Sequence, residues 1–327
     1  MRTTFVNALI AKAREDKNLV LLTGDLGSGA LEPFMGEFPD RFINCGIAEQ
    51  NMISVAAGLA KAGKKVVIYS IGNFDTLRVL EFIRNLVCYN NADVKIVSVG
   101  AGLEYGPLGF THHATEDIAC MRALPNMAVF NPATKKECEL AMNEMLNSNT
   151  PAYLRLNKKE VESEIGWSEE VNGKIKSHKI KLDFAAKPIA KVASGKDYLI
   201  ISTGKMLKEA MIARDVCKHA FGIDVAVVSV PQLKPIDLEE LAKIIKKYSI
   251  VWTTEEHSII GGLGDIVCEC VARFNLGTLV RNVGIRDEIK STVGTRDYLI
   301  SNADGAYNIG AAALIDDIKK CKMAIKM

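Results

Sequence analysis

At 327 residues, with 48% hydrophobic and 24% charged side chains and 25 glycines, the chain is sized for two domains of ordinary globular composition. Lys+Arg total 41 against 39 Asp+Glu, a formal charge of +2, which excludes a nucleic-acid binder whose affinity rests on neutralised phosphates. No apolar run approaches the ~20 residues needed to span a membrane. The first segment, MRTTFVNALIAKARED, interrupts its apolar positions with Asn7, Lys12 and Arg14, so a helix over 3–15 is expected rather than a signal peptide. Strands follow at 18–24, 41–46, 64–70, 93–100, 126–132 and 151–156, separated by helices near 48–62, 75–89 and 134–148. Apolar strands alternating with helices of this length imply βαβ units and a parallel sheet covered on both faces.

Residues 157–181 are dense in charge, with one Trp and little periodicity, and read as a linker with room for a hairpin. A second alternating series then runs through strands at 197–203, 223–230, 249–255 and 278–284. Its helices are expected at 205–221, 237–247, 263–274 and 305–321. The expectation is an α/β protein with one domain over 1–156, a linker over 157–181 and a second domain over 182–327. Each domain should be a mostly parallel sheet flanked by helices. Eight cysteines include no C-x-x-C pair and none has zinc-ligand spacing to a histidine, so reduced thiols and no metal site in this chain are expected. The chain is read as cytoplasmic.

Ligands of open parallel sheets bind beyond the carboxyl ends of the strands, which directs attention to the loops there. Glu49 opens the helix 48–62, whose residues 52–60 are apolar on nearly every face. A buried helix would put Glu49 in a low-dielectric place, the setting a carboxyl needs to hold or share a proton near neutrality. An acidic residue in a first turn also simply complements the helix dipole. His112 and His113 lie in GPLGFTHHATED, an irregular loop where they suit proton transfer or a ligand oxygen, or remain structural. GDLGSG at 24–29 follows a strand but fits no phosphate-binding motif. EEHSIIGGLGD has three glycines for a tight turn, as consistent with packing as with a ligand.

Taken together, GDL after the first strand, GIAEQNM, EFIRN, THH-TEDIA-MRALPNM-V-NPA and PAYLRL resemble the pyrimidine-binding domain of transketolases, and EEHSIIGGLG resembles their C-terminal domain. The resemblance covers the chain from about Arg2 to Ile318. It corresponds to the C-terminal section of a long transketolase, or to a separately encoded β subunit. What it implies is a thiamine-diphosphate enzyme moving a two-carbon ketol unit between sugars or sugar phosphates. Glu49 matches the glutamate that bonds the aminopyrimidine ring nitrogen, and with His112 it is the catalytic expectation. Phe74 matches an aromatic that packs on that ring, while Asp25 and Leu26 match the cofactor contacts of GDL. Arg2, His112, His113 and Lys158 match substrate contacts, the two cations facing a sugar phosphate.

The G-D-G…N motif that holds the cofactor's diphosphate is missing, since Gly24-Asp25 is followed by Leu26. The resemblance therefore implies a partner, the N-terminal α subunit, supplying Mg²⁺ or Ca²⁺ and the diphosphate site within an α2β2 assembly built on a homodimer of this chain. Departures from the family pattern are Ile71 and Leu77 for aromatics, Gly100 for histidine, Leu108 for aspartate, Gly29 for serine and His113 for glutamine. They point away from common sugar phosphates. Sibling readings are a deoxyxylulose-phosphate-synthase-like enzyme and a 2-oxo acid dehydrogenase β subunit; a non-catalytic scaffold subunit is the reading from another class.

Overall fold

A computed structural model describes residues 1–171 and 174–325. The first half contributes strands β1 (Leu19–Thr23), β2 (Phe42–Asn44), β3 (Lys65–Ile71), β4 (Val94–Val99), β5 (Ala128–Phe130) and β6 (Ala152–Leu156). Every residue of β1, β3, β4 and β6 is buried, as their mostly apolar composition requires for strands covered on both faces, and Lys65, Lys95 and Arg155 are buried with partners. The charge-dense segment forms an antiparallel hairpin, β7 (Glu164–Val171) with β8 (Lys174–Lys181). The second half adds β9 (Ala190–Ala193), β10 (Tyr198–Ser202), β11 (Val225–Ser229), β12 (Gln232–Lys234), β13 (Ile250–Ser258) and β14 (Leu279–Ile285).

Among the described residues two larger sheets stand beside the two-stranded hairpin, in the orders β12-β5-β6-β4-β3-β1-β2 and β14-β13-β10-β11-β9. Within these two sheets the pairings are parallel except at two edges, β12 on β5 and β9 on β11. The sequence predicts neither edge strand, because three or four residues beside prolines carry no readable alternation. β12 leaves the second series to pair with the first sheet. A single apolar cluster continues the stitch, running from Val20, Ile68 and Ile96 to Ile201, Val228 and Leu263.

Two helices differ from expectation in ways that matter for the site. The Glu49–Lys61 helix is not buried all round: Met52, Ile53 and Ala56 are buried, whereas Val55, Ala57, Leu59 and Ala60 are only partly covered. The helix expected at 75–89 is broken into a 3-10 turn (Leu77–Val79), one α-turn (Leu80–Phe82) and a π-helical stretch (Ile83–Cys88). Thr76 Oγ1 hydrogen-bonds the Gly72 carbonyl, a local side-chain bond of the kind that competes with a regular helix start. The last helix begins at Ala311 rather than 305, after Asn308 and Gly305 adopt positive φ.

Candidate active site

Glu49 is the first residue of its helix, with a side chain only 5% exposed. Gly24, just after β1, packs beside it: a Cβ there would lie a tight 3.3 Å from the Gly46 carbonyl oxygen and in ordinary contact, 3.8 Å, with Glu49 Cγ. Arg78 Nη1 donates to Glu49 Oε1 at 2.8 Å. The same guanidinium lies 4.4 Å from the centre of the Phe74 ring, within cation–π range. The broken helix after β3 produces this, because its 3-10 start brings Phe74 and Arg78, four residues apart, to face the helix that carries Glu49.

From Phe74 the site continues sideways. His112 is partly exposed and meets Phe74 edge-on at 5.4 Å; Tyr105 meets His112 edge-on at 6.4 Å. Leu26 packs with Phe74 and Tyr105 against the core cluster beneath. Lys158 Nζ lies 3.7 Å from the centre of the Tyr105 ring. The Arg2 guanidinium acts electrostatically on Tyr69, Tyr105 and Lys158. Burial lowers the Lys158 ammonium and raises the Tyr105 phenol relative to their usual ranges. Glu49, Phe74, Leu26, His112, Lys158 and Arg2 thus line one continuous stretch of surface.

The other two expected residues are placed differently. Asp25, at φ +59°, is exposed and exchanges hydrogen bonds with Asn44: its N–H donates to Asn44 Oδ1 at 2.9 Å, and Asn44 Nδ2 donates back to its carboxylate at 3.1 Å. Its side chain fixes the loop that carries Leu26. His113 turns inward and is 1% exposed, and burial holds its pKa below the usual imidazole range. Only His112 of the pair stands beside Phe74.

Three members of this surface were missed in the sequence. Arg78 had a signal in its spacing of four from Phe74. Lys205, in the STGK loop after β10, pairs with Glu104 next to Lys158 and adds a third cation from the second half of the chain. Tyr105 explains one of the departures. Gly100 adopts φ +87°, and a Cβ there would collide with Tyr105 Cε2. The ring occupies the space of any side chain at 100, so that position is filled by an aromatic rather than left vacant.

The glycine-rich turn after β13 is a packing device. Glu255 is fully buried and accepts the N–H groups of Leu263 (2.7 Å) and Gly264 (2.8 Å), and a Cβ on Gly262 would collide with its Oε2. Glu256 accepts the Leu103 N–H at 2.8 Å and pairs with Arg296, fastening the loop that carries Tyr105 and His112 to the second domain. His257 donates from Nδ1 to the Ser258 carbonyl and accepts the Ala119 N–H.

Residues 1–163 match the transketolase pyrimidine-binding domain and residues 189–302 the transketolase C-terminal domain. The chain is 40% identical over 321 residues to a protein named putative transketolase C-terminal section from Methanocaldococcus jannaschii, covering 98% of this chain and 96% of that one. The chain belongs to the transketolase family. A subunit of the apulose-4-phosphate transketolase of Actinobacillus succinogenes is 33% identical, with 95% of this chain and 94% of that one aligned. A solved split-gene transketolase, described as an inactive beta4 tetramer, superposes with a TM-score of 0.80 at 32% identity, covering 98% and 97% of the two chains. The two-domain α/β architecture is therefore that of the transketolase pyrimidine-binding and C-terminal domains.

Proposed function

We propose that this chain is the subunit of a split transketolase that receives the aminopyrimidine half of thiamine diphosphate, and that it transfers a two-carbon ketol unit between sugars only with a separate diphosphate-binding subunit. The observation that carries the reading is the position of Arg78. A planar group bearing N–H donors already lies between a buried carboxylate at 2.8 Å and an aromatic face at 4.4 Å. An aminopyrimidine is also planar and bears nitrogen donors, so the residues fit it. When bound, the cofactor supplies a thiazolium carbon able to attack a ketose carbonyl. Glu49 holds a proton at the pyrimidine ring nitrogen, and its near-complete burial keeps water from competing for that bond. Phe74 supports the ring face, and Arg78 must swing out for this to happen; at 45% exposure it has solvent to swing into.

Beyond the ring, His112 offers an imidazole to donor hydroxyls. Arg2 and Lys158 hold an anionic group at the outer end of the sugar. No G-D-G occurs in the chain, so the diphosphate and its Mg²⁺ or Ca²⁺ fall to an α subunit in an α2β2 assembly acting in the cytoplasm. Among the described residues no helix is long and apolar enough to cross a membrane.

Leu108, 56% exposed, replaces a carboxylate that would read a donor hydroxyl, and Gly29 faces open space. Together with relatives named for apulose 4-phosphate, these favour a less usual sugar over xylulose 5-phosphate. Tyr105 fills the space at Gly100, so Gly29 is the glycine at which a polar side chain is absent with nothing in its place. A lost hydrogen bond to a charged group costs ~1.5–3 kcal/mol, about ten- to a hundredfold in kcat/KM. The test is reconstitution with the diphosphate-binding subunit, thiamine diphosphate and Mg²⁺, followed by kcat/KM across a panel of ketose donors. Ketol transfer by the isolated chain would remove the partner requirement, and ordinary efficiency with xylulose 5-phosphate would remove the specificity argument.

A further inference from the structure

Away from this surface, the β7–β8 hairpin lies against the Met206–Phe221 helix through a cluster of polar and aromatic side chains. His178 of β8 and Asp215 and His219 of the helix each offer a ligand atom, and the three atoms lie within 4.8 Å of one another. Asp215 and His219 are one helical turn apart, the spacing at which two side chains stand on one face and chelate together. His178 reaches the pair from the hairpin, its ring centre 5.2 Å from that of His219.

The surrounding hydrogen bonds prepare both imidazoles in the same way. His178 donates from Nε2 to Glu169 Oε1 at 3.0 Å, which leaves Nδ1 with its lone pair. His219 donates from Nδ1 to the Asp215 carbonyl at 2.9 Å, which leaves Nε2 with its lone pair. A carboxylate or a backbone carbonyl taking the second N–H is the usual support of a metal-bound histidine. Trp167 adds two further restraints: its Nε1 donates to Asp215 Oδ2 at 2.8 Å, and its ring stacks on His178 at 4.1 Å with 4° between the planes. The second oxygen of Asp215, Oδ1, is not taken by Trp167 and lies 3.5 Å from His219 Nδ1, on the side of the pair that faces a ligand.

We propose that His178, Asp215 and His219 form a three-ligand site for a borderline divalent cation, Zn²⁺ being the one to test, with water completing the tetrahedron. Two neutral imidazoles and one carboxylate are a nitrogen-rich set that suits Zn²⁺ and disfavours Mg²⁺ and Ca²⁺, which take oxygen ligands. His178 and Asp215 are nearly covered, at 11% and 13%, while His219 is 52% exposed, so the ion enters from the His219 side. Bound there, it fastens the hairpin to the second domain. The site is independent of the ketol-transfer reading. Cysteine counting and local histidine spacing do not reveal it, because its ligands come together only when the hairpin folds onto the helix.

The test uses the untagged chain stripped with EDTA and titrated calorimetrically with Zn²⁺, with Co²⁺ absorption as a readout of tetrahedral coordination. One equivalent is expected to bind with visible Co²⁺ bands, and Mg²⁺ at the same concentration to give no heat. His219→Ala and Asp215→Asn should each weaken Zn²⁺ binding by ~10²-fold or more. Trp167→Phe, which keeps the stack and loses the hydrogen bond to Asp215, should weaken it ~10-fold, in line with supporting-residue losses of about 10–100-fold. His219 is half-exposed, so its alanine variant should keep the native circular dichroism spectrum and isolate the metal effect. Absence of Zn²⁺ uptake by the unaltered chain, or uptake undiminished in His219→Ala, overturns the proposal.

Discussion

Two places in this molecule set glutamate and histidine beside glycines at the carboxyl end of parallel strands. In the first, Glu49 is 4% exposed and His112 half-buried; in the second, Glu255, Glu256 and His257 are 0–4% exposed. The partners differ more tellingly than the exposure. Glu255 accepts only backbone N–H groups, and His257 is held between a backbone carbonyl and a backbone amide. Glu49 is met by the side chain of Arg78, which is free to rotate away. A carboxylate whose partners are main-chain groups is locked into the fold, whereas one whose partner is a long, half-exposed side chain can exchange that partner for a ligand.

Replacing Glu49 should separate the two most strongly. Glu49→Gln in the reconstituted enzyme is expected to lower kcat by ~10²–10⁴ with little change in unfolding free energy. Near-normal turnover at saturating cofactor would make Glu49 a helix-terminus residue only. Glu256→Ala should behave in reverse. Breaking a buried pair leaves Arg296 with only its longer contacts to Glu209 and to exposed Asp297, for a loss toward the lower end of ~3–5 kcal/mol read by urea unfolding. Arg78→Ala sharpens the contrast: removal of a competitor should tighten thiamine diphosphate binding a few-fold, since a partly exposed ion pair contributes ~0.2–1 kcal/mol. Weaker binding in that variant would show that Arg78 serves the bound cofactor instead.

The smallest effect is a pH profile from the closed cluster. Burial pushes Glu255 up to about 7 from 4.5, so between those values the folded state holds a proton that the unfolded state lacks, and stability falls as pH rises. Burial pushes His257 down to about 4 from 6.5, so there the unfolded state holds the extra proton and stability rises with pH. The two oppose each other between about pH 4.5 and 6.5. His257→Gln removes the second, and its melting temperature should fall more steeply from pH 5 to 7 than that of the unaltered chain. Parallel profiles for the two proteins would refute the assignment.

The elements legible beforehand were those with a long apolar signal. β1, β3, β4, β10 and the start of β13 are rich in Val, Ile and Leu, as buried strands are. β9 and β12 were not, because edge pairing of so few residues depends on a neighbour that local sequence does not name. Glu49 and Phe74 were found through motif resemblance. Arg78, Tyr105 and Lys205 were not, since each joins the site through a tertiary contact: a broken helix, a left-handed glycine and a loop of the other domain respectively. The helix-wide burial expected around Glu49 failed for a related reason. Apolar composition says that a face is to be covered without saying by which molecule.

That half-covered helix has one more consequence. Val55, six residues beyond Glu49, stands about 9 Å along the axis at 1.5 Å per residue, and Leu59 about 15 Å. Both belong to the same rigid rod as the carboxylate, and Ile47, immediately before it, is 79% exposed. Any surface that seats itself on this strip sets the tilt of the rod, and a rod levers its end. Substitutions that merely resize a side chain on the strip would then be felt as displacement of an oxygen atom two or three helical turns away. Tolerance to mutation along that flank is thus governed by the positional accuracy demanded at Glu49, not by how much apolar surface the flank itself covers.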